Sequence, residues 1–451
     1  MVHALDGFAK VISVQFNVNG DAWFSSNFLQ TDFYKASTEQ DTIAAYQVLD
    51  SVRPDFSWTD HIKAMLRGPD NTNVNIIKLG NATVGEDFAA MTDVWKVYTV
   101  DPKSLETLGR VKAEIPGGHS LDSLTSQLSS SHPMPEYGTT NHITFVTDIN
   151  PIPGLYSHIK VVRMRSVHLR ELIASIPVEQ APYMHSFACT RNYAILFVNP
   201  VFVDVGVLFK TGSPMSSLQW QEQHHTTVYV IDIHTGQTTE MTTEGVFTLH
   251  QVNAYESPDG ESIHVDYVTY PNMEAFTSLK LESLRDKSKR DTVLADATLK
   301  RYTIDMTSKS IQVGTLSVNP RMAIANKLDF PIINEAYRYS PYCFVYGIAS
   351  KSDSVHMASM SLVKRDLCGK GRDRVYYAPN QYPSEPQFVA TTEAIEEDDG
   401  ILLVTMLNGN TRKSNLMVFD ARTLTILSEA VLPEAVPLRL HGHFYQSSQS
   451  L

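Results

Sequence analysis

Four short pieces of this chain repeat one pattern: VDPKSLETL, IDIHTGQTT, IDMTSKSIQ and FDARTLTIL each place an apolar residue before an aspartate and Ser/Thr-rich turn residues after it. The aspartates are Asp101, Asp232, Asp305 and Asp420. Side chains of Asp, Ser and Thr satisfy turn amides, so each piece reads as the hairpin between two strands of one sheet. Alternating or β-branched apolar runs lie around them, among them VYVIDI, SIHVDYVTY, YCFVYGIA, ILLVTML and NLMVFD, bounded by Gly, Asn, Asp, Ser or Pro. The chain is therefore mostly β. Recurring hairpins suit a radial β-propeller, and their irregular spacing implies long insertions able to cap one end. Hairpins alone suit a β-sandwich equally well. Helical patterning is confined to the short stretches 42–48, 166–174 and 273–285.

Composition removes several classes of function. A net charge of -12 over 451 residues, with no stripe of Lys and Arg, argues against nucleic-acid binding. The basic run Lys287–Arg290 reads as a solvated loop. No apolar run reaches the roughly 18 residues that a spanning helix needs. Three unevenly spaced cysteines, Cys189, Cys343 and Cys368, suggest neither a disulfide framework nor a zinc site. A reducing cytosol fits this, and the N-terminus, with Asp6 and no continuous apolar stretch, is a poor secretory signal.

Sixteen histidines make any single one uninformative, since a lone buried His is usually a hydrogen-bonded core residue. Four stand apart: His132 in SSHPMPEYGTT, His185 in PYMHSFACTRNY, His250 in FTLHQVNAYE and His441 in PLRLHGHFY. None belongs to a short chelating pair, so a metal shared by them has to be assembled from distant strands. The inner strands of a propeller converge on one axis and permit this.

These residues resemble the carotenoid cleavage oxygenases, and most closely their animal branch, the β-carotene oxygenases and the retinoid isomerohydrolase of retinal pigment epithelium. HALDG at 3–7, TLHQVNAYE, LDFPIIN, YPSEPQFV, EEDDG and the terminal LHG follow in the family's order over nearly the whole chain. The resemblance implies a single domain, 1–451, folded as an all-β, seven-bladed propeller with a cap of loops and helices over one face. It further implies one non-haem Fe(II) on the axis, held by His132, His185, His250 and His441. Imidazole suits Fe(II), and four protein ligands leave two positions open. The acids that hold the ligating imidazoles, glutamates in the family, match Asp93 (for His185), Asp329 (for His250) and Glu385 (for His441). Thr92 matches the position facing the open side of the metal, the candidate catalytic residue.

The chain also departs from the family. Two of the acids are one methylene short, about 1.5 Å of reach, which calls for inward backbone, a bridging water or looser metal. The Arg-Asn-Gly-Pro-Gly stretch and first strand expected ahead of HALDG are missing, and the Pro-Asp-Pro-Cys loop is replaced by Pro54, Asp55, Phe56 and Ser57. The acidic turn Glu396, Glu397, Asp398 and Asp399 reads as a solvated loop, His224 and His225 as exposed, and His443 as structural. Segment 203–220, with Val207, Leu208, Phe209, Met215, Leu218 and Trp220, reads either as a peripheral membrane anchor or as a buried insertion.

The implied function is oxidative cleavage of a conjugated double bond of a carotenoid or apocarotenoid with O2, in a cytoplasmic protein that associates peripherally with membranes. A catalytically silent carotenoid binder and a retinoid isomerohydrolase are the rival readings.

Overall fold

The hairpin aspartates act as turn caps. The computed structural model describes residues 1–81, 85–111, 126–152, 154–290, 297–316, 327–350, 359–437 and 439–446. In it Asp101 accepts from the amides of Lys103 and Ser104, and Asp232 from those of His234 and Thr235. Asp305 does the same for Thr307 and Ser308, and Asp420 for Arg422 and Thr423, all at 2.7–3.0 Å. Each hairpin joins the third and fourth strands of an antiparallel sheet. Asp366, in VKRDLCGK, caps a fifth such turn through the Cys368 amide, an instance the sequence pattern did not single out.

Among the described residues six sheets of four or five strands form the blades, spanning 75–111 (A), 126–178 (B), 188–243 (C), 247–315 (D), 328–376 (E) and 381–431 (F). The fold is an all-β propeller with six blades, which corrects the seven implied by the resemblance. Between F and A the described residues place a two-stranded sheet, β1 (Lys10–Phe16) paired with β2 (Ala22–Phe28). Strand alternation turns Val11 toward Ile76, Ala90 and Tyr98 of blade A. Its neighbours Ile12 and Val14, with Phe24, pack on Leu403 and Leu416 of blade F. The pair thus wedges the ring with two strands where a blade has four. Other blade interfaces are filled by large side chains, as where Phe197 of C meets Tyr267 of D with ring centroids 4.7 Å apart. Each such buried aromatic contributes about 2–3 kcal/mol.

Two of the three predicted helices are absent, and the third is broken in two. Segment 42–48 is irregular, and its apolar residues Ala44 and Val48 are spaced to pack on Phe33 of α1 (Asp32–Glu39), which precedes it. Segment 166–174 runs into the blade B strand Arg170–Val178, where cross-strand pairing with Ser157–Met164 overrides helical spacing. Segment 273–285 holds two one-turn helices, interrupted because Leu279 and Leu281 bond to the backbone at Ala4 and Val2. An unpredicted helix, α2 (Trp58–Arg67), starts at Ser57, whose Oγ accepts the Asp60 amide. Segment 203–220 contains α3 (Val205–Thr211) and α4 (Pro214–Ser217). Residues of this segment, of 275–284 and of the N-terminus line one common cavity. No helix among the described residues is long and apolar enough to cross a membrane.

Two further readings are overturned. Cys343 and Cys368 form a disulfide, leaving Cys189 as a buried thiol. The pairing Phe344↔Asp366 carries the two cysteines face to face just beyond the ladder, a proximity that their separation of 25 residues conceals. The cysteine argument for a reducing compartment therefore falls. The acidic turn is not simply solvated either: Glu397 accepts the amides of Cys343 and Phe344, and buried Asp398 pairs with buried Lys364 at 2.5 Å. Neutralisation by Lys364 and Arg372 permits that burial.

Candidate metal centre

The four histidines come from four separate segments of the chain. His250 lies in β3 (Phe247–Glu256), the inner strand of blade D, where the pairing slips on both sides of Gln251. Such bulges re-aim a strand side chain, here toward the axis. His132 follows the Ser129–Ser131 run, and Ser130 Oγ accepts the His132 amide while donating to the His185 carbonyl. Ser186 Oγ likewise donates to Leu249 O (2.5 Å) and accepts the Gln251 amide. His441 is carried by the chain after blade F, its amide on Val74 O. Two serines beside ligand candidates thereby lash three neighbouring segments together. The sequence sign of this is a serine within two residues of His132 and of His185.

The imidazoles converge. One nitrogen of each lies within 4.8 Å of the others, and His132 Nε2 is 3.0 Å from His185 Nε2. Three have the opposite nitrogen on a carboxylate: His185 Nδ1 to Asp93 at 2.7 Å, His250 Nδ1 to Asp329 at 2.6 Å and His441 Nδ1 to Glu385 at 2.8 Å. These are the pairs the sequence matching names, and both aspartates reach their rings directly. Outer partners hold the acids in turn: Ser131 and Tyr183 donate to Asp93, Tyr270 to Asp329, and Gln387 with the Gly442 amide to Glu385.

How the shorter Asp329 reaches is visible in β4 (Leu328–Ile332). The pairing with β5 (Phe344–Ser350) slips between Asp329 and Ile332, and Phe330 takes a left-handed φ of 54°. Gly347 of β5 makes room for the bulge, since a Cβ there would lie 2.6 Å from Asp329 O. Sequence reasoning missed Gly347, Tyr183, Tyr270, Ser130 and Ser186, because their roles depend on contacts far along the chain.

The electrostatics sort the pairs. Burial, then the neighbouring imidazoles, hold His132 and His441 well below the usual histidine range, so both are neutral donors. At His250 burial is outweighed by the Asp329 carboxylate, which raises it. Burial pushes Asp329 up as well, but His250 overrides it and leaves the carboxyl at about 2. Burial dominates at Glu385, which rises to about 7.

This donor set fits a metal ion. His250 Nε2 is buried with no hydrogen-bond partner, and two Nε2 atoms in contact leave at least one lone pair without a proton. The second nitrogen on an acceptor fixes tautomer and orientation, as ligating histidines require. Thr92, half-buried beside Asp93, lines a cavity of about 840 Å3 that also reaches His185, His250 and His441. Leu208, Leu218, Leu249, Phe276, Ala297 and Phe330 supply apolar walls.

A propeller that gathers four imidazoles, three of them held by carboxylates and lining an apolar cavity, defines a class of four-histidine metalloprotein. The chain belongs to the retinal pigment epithelial membrane protein (RPE65) family, whose sequence profile matches residues 1–446. It is similar to beta,beta-carotene 15,15'-dioxygenase of Mus musculus, 26% identical over 98% of this chain and 83% of that protein. Carotenoid isomerooxygenase of Galleria mellonella is 26% identical over 98% and 87%, and the chloroplastic carotenoid cleavage dioxygenase 8 of Arabidopsis thaliana is 25% identical over 98% and 77%. The fold matches the crystal structure of an ACO/RPE65 chimera with a TM-score of 0.81, at 21% identity over 99% of this chain and 88% of that one. It also matches cobalt-substituted Synechocystis ACO with a TM-score of 0.80, at 21% identity over 98% and 87%.

Proposed function

We propose that this protein is a non-haem Fe(II) dioxygenase that cleaves one conjugated double bond of a carotenoid or apocarotenoid. The bond R–CH=CH–R′ and the O–O bond of O2 break, two C=O bonds form, and both products are carbonyl compounds. The observation that carries this reading is the four-histidine cluster, three of whose rings line a largely apolar cavity. Relatives named as carotene dioxygenases support it.

His132, His185, His250 and His441 would hold the iron, and Asp93, Asp329 and Glu385 keep three of the rings in the tautomer that points Nε2 inward. Bound Fe(II) supplies activation of O2. Leu249, Phe276 and Phe330 exclude water and offer the polyene an apolar seat. Thr92 lines the same cavity and would limit how the polyene approaches the metal. No protein group has to give or take a proton in this reaction.

A lipid-soluble substrate suits a protein seated on a membrane surface. Trp58, Ile62 and Leu66 form an exposed stripe on α2, with Trp58 78% and Leu66 83% exposed. His61 Nε2 lies 3.3 Å from Phe209 O, which sets α2 beside α3, where exposed Phe209 adjoins cavity-lining Leu208. Lys63, Arg67 and Lys210 flank these apolar groups. We assign peripheral lipid contact to this double-helix edge, which extends the anchor expected at 203–220.

Cleavage under oxygen-18 gas tests the function. Label in both carbonyl products is expected. An unlabelled, isomerised alcohol released from a retinyl ester would favour the isomerohydrolase, and pigment binding without aldehyde release after iron loading would favour a silent binder.

A further inference from the structure

The cavity contains a cation that the proposed reaction does not use. Arg439 lies two residues before His441, lines the cavity and has five N–H donors. One of them, on Nη2, reaches Glu385 O at 3.4 Å, while Nε is buried with no acceptor. The neighbouring carboxylate is engaged at both oxygens: Glu385 Oε1 takes His441 Nδ1, and Oε2 takes Gln387 Nε2 and the Gly442 amide. Among the described residues no carboxylate contacts the guanidinium. Lys10, which also lines the cavity, differs in being paired with Glu434 at 2.7 Å. Gly442 keeps the space beside Arg439 open, since a Cβ there would lie 3.2 Å from Nη1.

Filling this cavity with hydrocarbon alone would strip water from the guanidinium and return nothing to it. An oxygen acceptor restores the lost bonds, and a carboxylate matches the planar fork with two. We infer that Arg439 is the docking point for an oxygen-bearing end of the polyene. The protein therefore takes apocarotenoids ending in a carbonyl or carboxylate in preference to hydrocarbon carotenes. The inference rests on the dioxygenase reading and names the substrate class within it.

The test uses the full chain loaded with Fe(II), as wild type, Arg439→Met and Arg439→Lys, with melting temperature and bound iron checked for each. Dissociation constants for β-carotene, an apocarotenal and the matching apocarotenoic acid are measured under argon by absorption shift, and products are then analysed in air. Wild type should bind the oxygen-ended ligands about tenfold or more tightly than β-carotene, the effect of one hydrogen bond to a charged group. Arg439→Met should erase that ratio, and Arg439→Lys should restore part of it for the acid. The same ratio in wild type and Arg439→Met, with cleavage intact, would overturn the inference and leave the dioxygenase reading standing. An Arg439-dependent preference without any cleavage would overturn that reading and keep the docking point. Failure of wild type to bind any of the three would remove both.

Discussion

Replacing Asp329 with Asn separates a carboxylate that supports a metal ligand from one that merely fills space. Asn is isosteric and keeps an oxygen for His250 Nδ1, now 2.6 Å from Asp329 Oδ1, but it removes the negative charge. The carboxyl sits at about 2, so the wild-type side chain is ionised at every pH where the protein would be assayed. A hydrogen bond to a charged group contributes about 1.5–3 kcal/mol, which converts to about 10- to 100-fold in metal affinity. The Tyr270 hydroxyl, which donates to the same carboxylate, keeps the ring pocket in place, so the loss should fall on affinity more than on folding. Competition between Asp329→Asn and a chromophoric chelator for Fe(II), under argon, gives the constant directly. An affinity within twofold of wild type, at an unchanged melting temperature, would refute the idea that this acid holds a ligand.

Other outcomes follow from the same geometry. His250→Ala should lose stoichiometric iron and turnover together; full iron content in that variant, by metal analysis, would count against the four-histidine centre. Gly347→Ala places a Cβ 2.6 Å from Asp329 O and 3.0 Å from Leu328 Cδ1, so it should cost about 1–3 kcal/mol in a urea melt and weaken iron binding. Burial, reinforced by His443, holds His142 at about 4, below the 6.5 of a free imidazole. The unfolded chain therefore takes up the proton first as pH falls, and stability present above pH 6.5 is lost down to about pH 4, by about 3 kcal/mol in all. Urea melts at pH 7 and 5 should show that loss shrinking in His142→Gln; an identical loss in the variant would refute it. Denatured protein should show one free thiol before reduction, Cys189, and three after it. Ser at both Cys343 and Cys368 should cost about 2–4 kcal/mol, and three thiols without reductant would refute the bridge.

Much of the centre was legible because it depends on motifs that keep their local wording. His132, His185, His250 and His441 were recognisable with Asp93, Asp329 and Glu385, and the structure brings all seven together. The reach of the shortened acids was not legible, since it depends on a bulge at Phe330 and on a glycine one strand away. The solvated reading of the acidic turn failed for a similar reason: Lys364, far along the chain, neutralises Asp398.

By itself the amino-acid sequence determined the features whose partners lie within a few residues. The hairpin aspartates that bond amides two and three positions on are of this kind, as are the Ser57 cap and the alternation that makes the chain β. Tertiary structure alone decided the six blades with their two-stranded wedge, the Cys343–Cys368 bridge, the exposed Trp58 stripe and the guanidinium of Arg439 set in an apolar cavity. The physical reason is range. A turn amide meets its aspartate whatever the rest of the chain does, whereas Asp93 meets His185 across 92 residues and Asp329 meets His250 across 79 only after the blades have packed around one axis.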